Sequence, residues 1–491
     1  MSAAPIPRTK PPLQKHGLAF WMQRVLEECD RVAVDFAADP VHDLRVALRR
    51  CRSLADGLMS LDPDPGWKQM KKAGRELFRE LGELRDTQVM EEWVNKLGAP
   101  GDPVASTLLG FLAFREAAHK QQAMRALQQF DRKQWKRWSR TLPRRATRIR
   151  IGGLIFRHLA LERWREAYEL GRRAQRARSP LAWHTLRIGL KRFRYIVENF
   201  LPEQHESWIG DLKELQDLLG EVHDLDVLWS TALEMNVFPD GDSRLGWRQR
   251  ILEERNRRIE RYRERMVGKH SRWQIWRAQL PAGREIEAAA FNRLQLWASL
   301  LDPDFGHSRR VARLALEIYD GVFPQRNEEP ESPAERTILR LAALLHDVGR
   351  SRGQKNHHKA GARMIEKLPP PLGWTSASMH LIAAVSRYHR GALPRRGQRT
   401  FDQLAASARP TATRLAAVLR LANAFDQDRS GRIDRLKTIE TNGVLVILAR
   451  GYNPWNQTAE SIAAARHLLE LVCRRPIQIK ALRPDHQRSA P

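Results

Sequence analysis

The sequence predicts a mainly α protein, in which a duplicated helical bundle is followed by an all-helical domain with a small strand pair at its end. Apolar residues recur at helical spacing through most of the chain. Strand-like runs are confined to residues 443–449 and 476–480. In the first half, two different motifs each occur twice and in the same order, which indicates an internal duplication.

The first repeated motif is a basic helix whose copies begin near Val41 and Trp183. At about 100° per residue, four basic or histidine side chains of each copy fall on one narrow face. We call these faces the basic ridges, and they consist of His42, Arg45, Arg49 and Arg52 in the first copy and His184, Arg187, Lys191 and Arg194 in the second. Like charges at these spacings repel each other. A ridge that is present twice therefore indicates a multivalent anion as ligand.

The second repeated motif reads Leu-Gly-Glu, followed three residues later by Asp, and its copies contain Gly82 and Gly220. The ridges are displaced by 142 positions and these motifs by 138, so the duplication covers motifs at 41–90 and 183–228. A Pro-Ala-Gly break at 281–283 marks the best domain boundary. We expect a flexible leader at 1–13, a first domain at 14–282, a second at 283–484 and a tail at 485–491.

The composition indicates an acidic partner and a reducing compartment. The chain has 85 Lys and Arg against 57 Asp and Glu, a formal net charge of +28. This charge favours nucleic acid, an anionic membrane surface or polyphosphate as partner. The cysteines Cys29, Cys51 and Cys473 have no disulfide or metal-site spacing, and no apolar run reaches the roughly 18 residues of a membrane span. We expect a soluble cytoplasmic protein.

The ridges and the second motif resemble the conserved-histidine α-helical domain, abbreviated CHAD. The match includes His42-Asp43-Leu44-Arg45, His184-Thr185-Leu186-Arg187 and Leu219-Gly220-Glu221, and it covers roughly residues 14–282. The resemblance implies an all-helical pair of bundles around a basic groove that binds inorganic polyphosphate. It assigns that binding to the eight residues of the basic ridges.

The residue chemistry agrees with that ligand and leaves nucleic acid as the alternative. Polyphosphate has no bases, so it requires only cations and hydrogen-bond donors. A nucleic-acid-binding surface should add aromatic side chains for stacking. The tryptophans of this region occupy apolar helix positions, where core packing is predicted: Trp67, Trp93, Trp164, Trp183 and Trp208.

In the second domain, an almost wholly apolar helix ends in the doublet His346-Asp347. A buried carboxylate needs a cationic partner, and imidazole and carboxylate groups are ordinary ligands of divalent metals. His307 and Asp426 also occur where predicted helices begin or end. The candidate metal ligands are therefore His307, His346, Asp347 and Asp426.

The sequence order of His307, His346-Asp347, His357/His358, His389 and Asp426 resembles that of the HD superfamily of metal-dependent phosphohydrolases. Over about 290–480, the sequence is more closely similar to the helical C-terminal domain of exopolyphosphatase/guanosine pentaphosphate phosphatases. The resemblance implies a divalent metal, Mn²⁺ or Mg²⁺, with His346, Asp347 and Arg350 as catalytic residues. It also implies phosphate contacts from Lys355, His358, His389 and Arg390.

The sequence departs from the patterns of catalytic relatives at two points, so alternative functions stay open. Arg350 stands where many catalytic HD proteins have lysine, and residues 1–290 contain no Gly-rich phosphate loop after a strand. The first hypothesis is a polyphosphate-binding protein with an HD phosphohydrolase domain that acts on polyphosphate or a related substrate. The second is a non-catalytic, granule-associated polyphosphate-binding protein with a structural HD domain. The third is a nucleic-acid-binding protein.

Overall fold

The computed structural model describes residues 17–34, 36–177, 179–323 and 335–482. The chain forms two compact units, Met1–Ala282 and Gly283–Pro491. The described residues are mainly helical, which confirms the predicted fold class. The leader predicted at 1–13 and the tail predicted at 485–491 lie outside them. Within the described residues, no helix is both long enough and apolar enough to cross a membrane.

The first unit is helical throughout its described residues. Several helices begin at a side-chain cap followed by proline, as at Asp64, Asp102 and Ser179. The helices are α1 (Leu18–Val34), α2 (Ala38–Met59), α3 (Pro65–Ala73), α4 (Arg75–Leu97), α5 (Pro103–Gln129), α6 (Arg132–Ala146), α7 (Leu154–Ala177), α8 (Pro180–Phe200), α9 (Pro202–Glu234), α10 (Gly241–Met266) and α11 (Arg272–Ala278).

The helices that carry the repeated motifs pack against one another. Helix α2 contacts α4 and α8, and α9 contacts α4 and α8. Asn199 Nδ2 on α8 donates a hydrogen bond to Ser53 Oγ on α2, at 3.1 Å. Because the apolar residues beside the ridge cations are buried, for example Leu44 and Leu186, both basic ridges are held on adjacent helices.

The five tryptophans that were predicted to pack in the core of the first unit are buried or half-buried. Four of the five that were predicted to do so are buried: Trp67, Trp93, Trp183 and Trp208. Trp164 is half-buried, and its Nε1 donates to the carbonyl O of Trp273 at 3.1 Å. These five rings therefore pack against the rest of the first unit.

The second unit consists of helices and one small sheet. The helices are α12 (Arg284–Leu301), α13 (Phe305–Val322), α14 (Glu335–Leu345), α15 (His357–Glu366), α16 (Ser376–Arg387), α17 (Arg399–Asp402), α18 (Arg409–Phe425) and α19 (Gln457–Cys473). Short 3₁₀ turns occupy Val348–Arg352 and Ala406–Ala408.

The sheet corrects one detail of the prediction. It has three strands, β1 (Arg435–Thr441), β2 (Val444–Arg450) and β3 (Ile477–Ala481), in the order β1-β2-β3. Strand β2 pairs antiparallel with β1 and parallel with β3. The sequence predicted only two strands, and β1 was missed because it is a polar edge strand in which only Leu436 is buried.

A close backbone contact positions the His-Asp doublet of the second unit. Helix α14 is almost entirely buried and ends just before His346 and Asp347. In the 3₁₀ turn that follows, Gly349 lies directly against the start of α15. A Cβ atom at this position would overlap the carbonyl O of His357 and the backbone N of Gly361.

We therefore expect Gly349→Ala to destabilise the protein, because the neighbouring atoms belong to the backbone and cannot move aside. Overpacking of this kind costs about 1–3 kcal/mol or more in the free energy of unfolding. Denaturant titration followed by circular dichroism would measure it. The control is Gly110→Ala in α5, where no atom lies within 4 Å of the added Cβ and a gain of about 0.5–1 kcal/mol is expected. Equal stabilities for Gly349→Ala and the unmodified protein would contradict this account.

Candidate anion groove and candidate metal centre

Four cations of the basic ridges meet between α2 and α8, and we call this site the anion groove: Arg45, Arg49, Arg187 and Lys191. Burial, together with the positive charges of the three arginines, lowers the pKa of Lys191 to about 8. Burial also lowers the pKa of Arg45. The Nε atoms of Arg45 and Arg187 are buried and have no hydrogen-bond partner among the described residues.

Two aspartates of the second repeated motif face these cations. Arg45 Nη2 lies 3.8 Å from Asp86 Oδ1. Burial raises the pKa of Asp224 to about 6, although Arg187 and Lys191 oppose this shift. Asp86 and Asp224 occupy equivalent positions of the duplication, so their recurrence at the offset of 138 was the available sequence signal. They were not among the predicted site residues.

A histidine pair borders the anion groove in its second copy. The Nδ1 atoms of His184 and His223 are 3.2 Å apart, which is hydrogen-bond distance. Burial and the charges of Arg187 and Lys191 lower the pKa of His184. Burial and Arg187 lower that of His223 to about 4. At neutral pH the pair is therefore uncharged and held by a shared N–H. His223 was missed because the equivalent residue in the first copy is Arg85.

The remaining ridge residues have different surroundings. Arg52 Nη1 donates to the carbonyl O of Lys71 at 2.9 Å, and its guanidinium lies 4.9 Å from the centre of the Phe78 ring. Arg194 Nε is 3.8 Å from a carboxylate oxygen of Glu198 in the same helix. His42 is exposed. The structure thus gathers half of the eight predicted residues into the anion groove, with His184 beside them.

In the second unit, three histidines and one carboxylate converge from α14, α15 and the end of α16. We call His346, Asp347, His357 and His389 the His-Asp cluster; all four are buried. Asp347 Oδ1 lies 3.2 Å from His357 Nε2 and 3.7 Å from His346 Nε2. The Nε2 atoms of His357 and His389 are 3.4 Å apart.

Backbone carbonyls fix the tautomers of these rings. Nδ1 of His346 is 2.7 Å from Ala343 O, Nδ1 of His389 is 2.7 Å from Ser386 O, and Nδ1 of His357 is 3.0 Å from Gln354 O. A carbonyl oxygen only accepts, so each Nδ1 carries the proton and, in the neutral ring, Nε2 presents a lone pair.

The donor set fits a divalent metal. Buried His346 Nε2 has no hydrogen-bond partner among the described residues. Burial and the neighbouring His346 hold the pKa of His389 well below its usual range, which keeps this ring neutral. Two groups bring their ligand atoms within 4.8 Å of one another: His307, His346 and Asp347, and Asp347, His357 and His389. Neutral imidazoles with one carboxylate are typical ligands of such ions.

Arginines compensate the buried carboxylate on its other side. Arg350 Nη1 donates to Asp347 Oδ2 at 3.2 Å, and Arg429 Nη2 donates to the same oxygen. Arg429 Nη1 also donates to Asp304 Oδ2 at 2.7 Å. Although burial acts to raise it, the pKa of Asp347 lies well below its usual range because the carboxylate faces His346 and is hydrogen-bonded to His357, and the same hydrogen bond raises the pKa of His357 against the effect of its burial. Asp347 is therefore ionised, with Oδ1 directed to the histidines and Oδ2 to the arginines.

Asp426, a predicted metal ligand, belongs to neither of the two groups. Its Oδ2 lies 2.8 Å from His307 Nδ1 and accepts a hydrogen bond from Arg310 Nε at 2.8 Å. Its Oδ1 accepts from the backbone N of Gly431 at 2.9 Å. Both oxygens of Asp426 thus hold and orient neighbouring groups. His357, which takes a place beside Asp347, was missed as a ligand because it adjoins a second histidine, His358.

Comparison with protein families identifies both halves of the chain. The CHAD domain model matches residues 19–233. The model of Ppx/GppA phosphatase, domain III, matches residues 293–458. The chain thus contains a CHAD domain with a Ppx/GppA domain III C-terminal to it. The helices α2, α4, α8 and α9 lie within the first match apart from the last residue of α9, and the His-Asp cluster lies within the second. Comparison with curated proteins gave no significant match.

The predicted phosphate contacts of the Ppx/GppA domain III vary in exposure. His358 is half-buried, and its ring centre is 6.3 Å from that of His389. Burial, Arg387 and His357 lower the pKa of His358 to about 4. Lys355 and Arg390 are exposed. Only His389 of the four belongs to the His-Asp cluster.

Proposed function

We propose that the CHAD domain binds inorganic polyphosphate in the anion groove. Both domain families fit a polyphosphate-related role. The observation that carries the proposal is the meeting of four cations from two helices, with Lys191 so strongly affected that its pKa lies near 8. Such mutual repulsion is relieved when a multivalent anion binds between the charges.

The chemistry of the groove supports a phosphate chain in particular. The buried Nε–H groups of Arg45 and Arg187 lack acceptors among the described residues, and phosphate oxygens would supply them. Arginine binds phosphate in a bidentate manner, with strong charge-assisted hydrogen bonds. The buried tryptophans of the first unit favour a ligand without bases over nucleic acid. We also propose that the protein associates with polyphosphate granules in the cytoplasm.

A second proposed activity is metal-dependent phosphate hydrolysis at the His-Asp cluster. Mn²⁺ or Mg²⁺ would be held by one or both of two groups that share Asp347, namely His307, His346 and Asp347, and Asp347, His357 and His389. A bound metal supplies a Lewis acid and acidifies coordinated water. Arg350 and Arg429 donate to Asp347 Oδ2 and orient the carboxylate, while exposed Lys355 and Arg390 are available to phosphate oxygens. The binding-only alternative is that these arginines are the permanent partners of Asp347.

Charge reversal in the anion groove should abolish tight polyphosphate binding. Each charge-assisted hydrogen bond contributes about 1.5–3 kcal/mol, so Arg187→Glu/Lys191→Glu should raise the Kd at least ~100-fold. Titration of fluorescently labelled polyphosphate at fixed salt measures it. The control is Lys136→Glu/Arg137→Glu on exposed positions of α6, which makes the same change in net charge. Equal effects of the two variants would mean that binding depends on overall charge and not on the groove.

The affinity should fall as the pH rises above about 8, because Lys191 then loses its proton in the free protein. A bound anion favours the charged amine, so binding takes up a proton in this range. Lys191→Arg remains charged and should hold its affinity up to at least pH 9, as measured by the same titration. Lys136→Arg is the matched control. Parallel pH profiles for Lys191→Arg and the unmodified protein would exclude Lys191 from the site.

His346→Ala and Asp347→Ala should each abolish metal binding and metal-dependent phosphate release. Elemental analysis after dialysis against Mn²⁺ or Mg²⁺, together with a phosphate-release assay on polyphosphate, would test both effects. His467→Ala removes an exposed histidine of α19 and should change neither quantity. If the unmodified protein takes up no metal and releases no phosphate while it binds polyphosphate, the binding-only alternative is correct.

A further inference from the structure

A small basic cleft lies in the Ppx/GppA domain III, outside the His-Asp cluster. It has a volume of about 160 Å³ and is formed by α15, the end of α16 and the start of α17. We call it the phosphate cleft, and its lining includes Lys359, Arg363, Glu366, Arg387, Gln398 and Arg399. We propose that this cleft binds a phosphate group, either orthophosphate or the end of a short phosphate chain. The choice of anion rests on the proposed polyphosphate-related function.

The charges of the lining favour an anion. Four of its side chains are cationic and one is a carboxylate. Within the described part of the chain, that carboxylate is paired with Arg399 alone, whose Nη2 is 3.8 Å from Glu366 Oε2. Lys359, Arg363 and Arg387 have no carboxylate partner there. Cations without partners are common on exposed surfaces, but here exposed Lys359 and Arg363 and half-buried Arg387 line one concave surface.

Arg387 provides the strongest sign of a missing acceptor. Its Nη1 is buried and has no hydrogen-bond partner among the described residues. The guanidinium lies 5.2 Å from the centre of the Tyr388 ring, a contact that restrains it against one wall of the cleft. A buried donor without an acceptor is unfavourable, and a phosphate oxygen in the cleft would satisfy it.

The size and the remaining polar atoms match a phosphate group. A volume of 160 Å³ corresponds to about five water molecules, well below the roughly 300–1,000 Å³ of sites for drug-sized ligands. Glu366 Oε1 and Gln398 Oε1 are buried acceptors without partners among the described residues. Orthophosphate is present at neutral pH as its monoanion and its dianion, and both carry a hydroxyl that can donate to such acceptors.

The test uses the full chain with the anion groove disabled by Arg187→Glu/Lys191→Glu and with EDTA present. Isothermal titration with orthophosphate and with tripolyphosphate then reports binding that depends on neither the groove nor a metal. In this background, Lys359→Gln/Arg363→Gln removes two exposed charges from α15, where glutamine is well tolerated. The control, Arg435→Gln/Lys437→Gln, removes two exposed charges from β1.

We expect the groove-disabled chain to bind at least one of the two anions, and the cleft variant to weaken that binding at least about tenfold relative to the control. Binding of orthophosphate would identify a free phosphate site, and binding of tripolyphosphate alone would identify a chain-end site. The proposal is overturned if neither anion binds, or if the cleft variant changes the Kd no more than the control does. Because the groove is disabled throughout, these outcomes are independent of whether the groove binds polyphosphate.

Discussion

Repulsion between the cations of α2 and α8 is the constraint around which the CHAD domain is arranged. Buried leucines beside the ridges and the Asn199–Ser53 hydrogen bond hold the two helices together. Asp86 and Asp224 reduce the repulsion without cancelling it. Helix packing thus stabilises a local charge arrangement that is unfavourable by itself. An anion that binds there gains affinity from the relief of this repulsion, because the folded chain has already brought the cations together.

The Ppx/GppA domain III differs from the CHAD domain in the sign of its central charge. Its central charge is a buried carboxylate, and Arg350 and Arg429 satisfy it on one side. On the other side, Asp347 Oδ1 lies near His346 Nε2 and His357 Nε2, and the buried His346 Nε2 has no hydrogen-bond partner among the described residues. The arginines contact Oδ2 and leave Oδ1 to the histidines. They do not account for the convergence of His346, His357 and His389 on this carboxylate, with Nδ1 of each ring at hydrogen-bond distance from a backbone carbonyl.

The sequence was sufficient for the features that repeat or follow a period. Helical spacing predicted the mainly α fold, and the resemblance to the CHAD family implied a basic groove, which in the structure lies between α2 and α8. Features that depend on tertiary contacts could not be predicted from the sequence. Arg52 and Arg194 share the helix face of the groove residues but contact Lys71 and Glu198 instead. Spacing also could not show that Asp426 would be engaged by His307 and Arg310.

The two copies of the duplication carry different basic residues at two equivalent positions, and these residue types differ in pKa. The first copy places arginine at position 49 and at position 85, whereas the second places Lys191 and His223 at the equivalent positions. Arginine remains charged at every physiological pH. Burial and neighbouring arginines bring the pKa of Lys191 to about 8 and that of His223 to about 4. The first copy therefore supplies a constant positive charge, while Lys191 of the second copy supplies a charge that changes near pH 8. Because an anion favours the charged amine, anion binding in the groove would be coupled to the uptake of a proton by Lys191 on one side of a pseudo-symmetric site.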